Sequence, residues 1–192
     1  MKAGFVIMPI IISFALSACM GPFIIPMLKR LKIGQTVRED GPGTHLKKSG
    51  TPTMGGIFFI TAILLTVAVL SFFAIPKDAL IPVWITLGMA VLFACVGFVD
   101  DYAKLIKKQN EGLKAYQKFV LQLLVSTLYI GAMCALGYMD TVIPIPFTDI
   151  KWDLEIAFYP LAVILLVGVD NSVNLTDGID GLCATVTAVV AA

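Results

Sequence analysis

The chain has 192 residues, of which 58% are apolar and 14% charged, against about 45–50% and about 25% in soluble domains. Fourteen Lys and Arg against thirteen Asp and Glu leave a net charge of +1, so no bulk field attracts nucleic acid. Charge-rich disorder, a coiled coil and a disulfide scaffold are excluded as well, which leaves an integral membrane protein. Cys19, Cys95, Cys134 and Cys183 are widely spaced with no CxxC and read as neither metal ligands nor a disulfide framework.

In chain order, Phe5–Leu28, Gly55–Pro76, Ala79–Val99 and Phe119–Met139 contain no Asp, Glu, Lys or Arg. Each has about the 20 residues that cross a hydrocarbon layer of about 30 Å. The first carries Leu16-Ser17-Ala18-Cys19, which is similar to a lipoprotein cleavage box. Its apolar run continues nine residues past Cys19, however, so the segment is read as a span and not as a cleaved signal. A fifth run, Ile156–Val169, reaches full length by including Asp170 and Asn171. A sixth begins near Leu182 and stops at Ala192, about 16 Å of helix or half a bilayer. The expectation is an all-α polytopic transmembrane protein with five full spans and the start of a sixth, residues 1–192 forming one integral membrane domain truncated at its C-terminus.

Orientation follows from Lys and Arg in the short connections. Lys29, Arg30, Lys32, Arg38, Lys47 and Lys48 lie between segments one and two, and Lys104, Lys107, Lys108, Lys114 and Lys118 between three and four. Eleven of the fourteen basic residues thus fall in alternate connections, predicting that face to be cytoplasmic and the N-terminus outside. Trp84 and Trp152 then fall near the outer interface. Between segments four and five, Ile150, Trp152 and Leu154 alternate with Lys151, Asp153 and Glu155, predicting a small outer β-hairpin whose first strand is held to an edge by two prolines.

Asp100 and Asp101 close segment three, Asp170 closes segment five, and Asp177 and Asp180 follow in the next turn. A carboxylate at the centre of a membrane helix costs about 2.5–3.5 kcal/mol, and a helix C-terminus is already negative, so acids placed there require a cation. Lys104, four residues after Asp100, supplies part of that charge. A Mg²⁺ ion, which takes one or two carboxylates plus substrate phosphates, is suited to supply the rest. Taken singly, the acids read equally as solvated helix ends, with Asp180 as an N-cap and Asn174 through Gly178 as a turn. Together, Asn171, Asn174, Asp177 and Asp180 at intervals of three exceed what capping needs. Gly41-Pro42-Gly43-Thr44-His45-Leu46-Lys47-Lys48-Ser49-Gly50 runs into segment two and predicts an anion site on helix amides. It is no Walker loop, and His45, a lone loop histidine, reads as polar surface.

Three stretches resemble the signatures of one family. Glu39-Asp40-Gly41-Pro42 with His45-Leu46-Lys47-Lys48-Ser49-Gly50-Thr51-Pro52-Thr53-Met54-Gly55-Gly56 resembles the first cytoplasmic signature of the phospho-N-acetylmuramoyl-pentapeptide-transferases, within the polyprenyl-phosphate N-acetylhexosamine-1-phosphate transferase superfamily. Phe98-Val99-Asp100-Asp101-Tyr102-Ala103-Lys104 resembles the second. Asn171-Ser172-Val173-Asn174-Leu175-Thr176-Asp177-Gly178-Ile179-Asp180-Gly181-Leu182 resembles the third.

The resemblance implies about ten transmembrane helices, commonly in a homodimer, in the bacterial inner membrane with the active site at the cytoplasmic face. It implies transfer of phospho-MurNAc-pentapeptide from UDP-MurNAc-pentapeptide to undecaprenyl phosphate, giving lipid I and UMP with Mg²⁺ as cofactor. Asp100 and Asp101 then match the catalytic acid pair and Lys104 its basic partner. Lys48, Thr53, Asn174, Asp177, Gly178 and Asp180 match residues that bind the nucleotide and diphosphate. The family's main metal-ligand aspartate, in a Gly-Asp motif of the second half, and a histidine-rich loop have no counterpart here. The metal set therefore stays open, with Asp100, Asp101 or Asp177 as contributors, and the chain by itself is expected to be inactive. A related N-acetylglucosamine-1-phosphate transferase is the alternative. A secondary transporter, whose site belongs near the bilayer midplane, fits these boundary acids less well.

Overall fold

A computed structural model describes residues 4–30, 54–107, 112–177 and 181–191. The described residues form six α-helices, a two-stranded sheet and one 3-10 turn: α1 (Gly4–Arg30), α2 (Gly56–Phe73), α3 (Lys77–Lys107), α4 (Ala115–Ala135), β1 (Val142–Pro144), β2 (Lys151–Asp153), the turn Glu155–Ala157, α5 (Phe158–Thr176) and α6 (Leu182–Ala191). Five of these segments are long and apolar enough to cross a membrane: Ile7–Arg30, Gly56–Phe73, Lys77–Ile106, Ala115–Ala135 and Glu155–Thr176. The chain divides into two compact units, Met1–Lys114 and Ala115–Ala192.

The helices turn their large apolar side chains outward, Phe14, Phe23, Phe72, Phe73, Leu128 and Ile164 among them. Such a surface suits hydrocarbon and not water. In that solvent apolar burial does not drive helix association, so packing and interhelical hydrogen bonds decide which faces meet. α1 runs unbroken through Cys19 despite Pro9, Pro22 and Pro26 inside it, as membrane helices tolerate.

In the first unit, α2 packs along α1 and, over a shorter length, against α3. Its buried residues Ala62, Thr66 and Leu70 recur every four positions and so share one face. The Thr66 hydroxyl is satisfied within its own helix, donating to the Ala62 carbonyl at 2.8 Å. Only Ala74–Pro76 separates α2 from α3. The amides of Ala74 and Ile75 both donate to the Leu70 carbonyl, at 2.8 and 3.0 Å, and Trp84 Nε1 donates to Ser71 Oγ at 3.1 Å. A connection this short makes the two helices antiparallel neighbours.

In the second unit, α4 packs against α5, burying Gln122, Val125, Ser126, Ile130 and Met133. The predicted hairpin joins them. β1 and β2 are antiparallel, with Val142 opposite Asp153, Ile143 opposite Trp152 and Pro144 opposite Lys151. In a two-stranded sheet Pro144 has an outer edge available, as its missing N–H requires. The Asp153 carboxylate, fully exposed, accepts hydrogen bonds from the Thr141 hydroxyl and from the Glu155 amide at 2.9 Å.

The Thr141 bond, and after it the Glu155 amide, hold the Asp153 carboxyl below its ordinary range. A carboxyl depressed by folding contributes stability that is fully present above its unfolded value, about 4, and is lost as pH falls through the lower folded value. In a Trp84→Phe background, the Trp152 emission is therefore expected to report loosening of the hairpin on acidification below about pH 4, and Thr141→Val to weaken that transition.

Candidate functional site

The acid pair that closes the apolar part of α3 does not end the helix. Lys104 stands one turn on, close enough to both acids for its ammonium to serve them together. Its Nζ lies 2.7 Å from Asp100 Oδ2 and 3.2 Å from Asp101 Oδ1. The Asp100 side chain is 13% exposed and that of Asp101 30%, so Asp100 is the enclosed member and Asp101 the accessible one.

The chain then folds back over the pair. The Leu113 amide donates to Asp100 Oδ1 at 2.8 Å, so both Asp100 oxygens accept charge or hydrogen. Gly112, which is buried, makes this approach sterically feasible. A Cβ there would lie 2.5 Å from the Asp100 carbonyl oxygen and 2.8 Å from its Cγ. Sequence reasoning missed Gly112 and Leu113: a glycine in a polar connection carries no periodic signal, and its partner lies a dozen residues upstream.

The expectation that Asp100, Asp101 and Asp170 sit at helix C-termini is corrected. α3 continues to Lys107 and α5 to Thr176, leaving each acid more than one turn inside. The macrodipole acts within the last turn, so for the α3 pair the Lys104 ammonium, and not the helix end, sets the local electrostatics. Within α5 the polar residues are satisfied by carbonyls of their own helix, so they do not end it. Asn171 Nδ2 donates to the Val167 carbonyl at 2.8 Å, Ser172 Oγ to Gly168 at 2.7 Å and Thr176 Oγ1 to Ser172 at 2.8 Å. Asn174, read as the start of a turn, is helical.

Asn174 and Asp177 are both exposed, Asn174 in the last turn of α5 and Asp177 at its C-cap. Asp177 donates its amide to the Val173 carbonyl at 3.2 Å. Lys48, Thr53, Gly178 and Asp180 lie outside the described residues, as do His45 and the loop of the expected anion site. What is described of that region is the start of α2, where Gly55 at the N-cap offers no side chain to the helix amides.

A second polar cluster joins α4 and α5; its α5 members Asp170 and Asn171 stood out in the sequence, and its α4 member Gln122 did not. Gln122 is fully buried, and its Nε2 donates to Asp170 Oδ2. Its Oε1 accepts from Asn171 Nδ2 at 2.9 Å. Among the described residues no group of three or more His, Cys, Asp or Glu is placed to hold a metal ion. Asp100 and Asp101 are hard oxygen donors, matching a cation shared with phosphate ligands and not an all-protein cage.

Gly112→Ala is expected to push the connection off Asp100 and to destabilise the first unit by about 1–3 kcal/mol, the usual result of overpacking. Thermal unfolding in detergent, with Gly131→Ala on an open face of α4 as control, checks it.

Residues 83–192 match the model of glycosyl transferase family 4, and residues 48–60 match phospho-N-acetylmuramoyl-pentapeptide-transferase signature 1. The chain is 42% identical over 182 residues to a phospho-N-acetylmuramoyl-pentapeptide-transferase of Clostridium kluyveri, covering 94% of this chain and 56% of that protein. It is 44% identical over 186 residues to the enzyme of that name from Clostridium perfringens, covering 96% and 55%. With that from Shouchella clausii it shares 44% over 180 residues, covering 91% and 53%. The chain spans about half the length of the curated relatives it matches. With its five apolar helices and a family match over more than half its length, this multi-pass membrane chain belongs to glycosyl transferase family 4.

Proposed function

We propose that the protein transfers phospho-MurNAc-pentapeptide from UDP-MurNAc-pentapeptide to undecaprenyl phosphate, giving lipid I and UMP. The observation that carries the reading is the carboxylate pair Asp100 and Asp101, held on one ammonium at the polar end of an apolar helix. The names of the relatives, and the match to their first signature, favour the muramoyl substrate over an N-acetylglucosamine one.

In this reading an oxygen of undecaprenyl phosphate attacks the sugar-side phosphorus of the diphosphate. The bond from that phosphorus to the bridging oxygen breaks, and UMP leaves with the electron pair. Such a displacement needs positioning and charge neutralisation more than covalent work by the protein. Asp100, oriented by Lys104 and the Leu113 amide, takes the remaining proton of the lipid phosphate, whose second pKa is about 6, or orients that phosphate for attack. A route through an aspartyl phosphate is the competing mechanism. Lys48, Thr53, Asn174, Asp177, Gly178 and Asp180 bind the nucleotide and diphosphate.

Mg²⁺ is the cofactor in this proposal, with Asp100, Asp101 or Asp177 contributing to its hold. When bound, it supplies Lewis-acid stabilisation of the diphosphate charge. The protein sits in the bacterial inner membrane as a homodimer, N-terminus outside, with its basic connections and the site on the cytoplasmic face.

The test is transfer from UDP-MurNAc-pentapeptide to undecaprenyl phosphate in detergent, run on residues 1–192 and on the product of the whole reading frame. Lipid I and UMP are expected to form in equal amounts from the latter, with EDTA stopping the reaction and Mg²⁺ restoring it. Asp100→Asn is expected to abolish turnover while leaving UDP-MurNAc-pentapeptide binding intact. Near-normal turnover in that variant removes Asp100 from the mechanism. Labelling of cysteines placed at positions 100 and 177 from opposite sides of the membrane is expected to show one compartment for both.

A further inference from the structure

Gln122 is fully buried in a helix otherwise suited to hydrocarbon. An amide enclosed there must find partners for its donors and its acceptor. It finds them on one neighbour. Nε2 donates to Asp170 and approaches Asn171 Oδ1 at 3.4 Å, while Oε1 accepts from Asn171 Nδ2 at 2.9 Å. The same Asn171 nitrogen is held by the Val167 carbonyl of its own helix. Apolar contacts between α4 and α5 permit sliding and rotation, whereas a reciprocal amide pair is directional and does not.

Asn174 follows Asn171 by three residues, about 60° around the helix, and Asp177 follows by six. Both are exposed, and α5 is the element that carries them. The angle and height at which these two side chains stand therefore follow from the Gln122 lock, about one turn before Asn174 and nearly two before Asp177. We propose that Gln122 is a positioning residue for nucleotide binding, its buried amide fixing the rotation of α5 that presents Asn174 and Asp177 to the UDP end of the substrate. This rests on the proposed function above and adds a residue that touches no substrate.

Three variants in the whole reading frame test it. Gln122→Met keeps the length of the side chain and removes both bonds. Gln122→Glu sets a second carboxylate against Asp170. Gln122→Glu with Asp170→Asn keeps one carboxylate and reverses the donor, so that both bonds re-form. At matched amounts of folded protein, the first two are expected to raise the KM for UDP-MurNAc-pentapeptide about tenfold, the worth of one such hydrogen bond, with kcat within about threefold. The double variant is expected to bring KM back to within about threefold of the parent.

An unchanged KM in both single variants overturns the proposal, and so does a double variant that recovers its melting temperature without recovering KM, since a purely structural lock behaves that way. Where Gln122→Met does not accumulate, Gln122→Asn, an amide one methylene short, carries the same comparison. An inactive parent overturns the transferase reading and this inference with it. An active parent whose KM does not move overturns this inference alone.

Discussion

One ammonium between two carboxylates is the interaction on which the polar end of α3 depends. Adjacent acids at the edge of a bilayer repel each other and resist desolvation. Lys104 offsets both, at 2.7 and 3.2 Å, from the next turn of the same helix. Because the cation comes from within α3, the pair is assembled by local structure alone. The return of the chain at Gly112 and Leu113 then shields Asp100 and leaves Asp101 more open. Two chemically identical side chains thus acquire different environments.

The second unit answers a different constraint. With lipid as solvent, α4 and α5 gain little from burying Val125 or Val167, so the polar contacts of Gln122 with Asp170 and Asn171 define how the helices meet. The hydroxyls of Ser172 and Thr176 are turned onto their own helix and add nothing to the interface. Polarity in α5 is therefore of two kinds, one that joins helices and one that is satisfied within its own helix.

Much of this was legible in the sequence. Charge-free runs marked four spans, because hydrocarbon excludes charge regardless of tertiary detail; the fifth was legible only with Asp170 and Asn171 included, and strict alternation marked β2. Asp100, Asp101 and Lys104 were legible as a group because i, i+3 and i+4 neighbours meet on any helix. Helix ends were not: Asp100 and Asp170 read as termini because charge usually signals water, yet Lys104 and the back-bonding polar residues of α5 let both helices continue. Gln122 and Gly112 were invisible for another reason. Their partners lie in a different helix or across an aperiodic connection, and nothing at residue 122 announces Asp170 or Asn171.

The turn at Ala74–Pro76 bears on the charge carried at one end of two neighbouring spans. Two spans tied by three residues, with Trp84 bonded to Ser71, are held together as a helical hairpin. The formal charges carried at its bend are those of Lys77 and Asp78, which cancel. Work against the electrical gradient scales with net charge moved, about 2.3 kcal/mol per charge for each 100 mV. A bend of zero net charge adds no such work, whichever side of the membrane it faces.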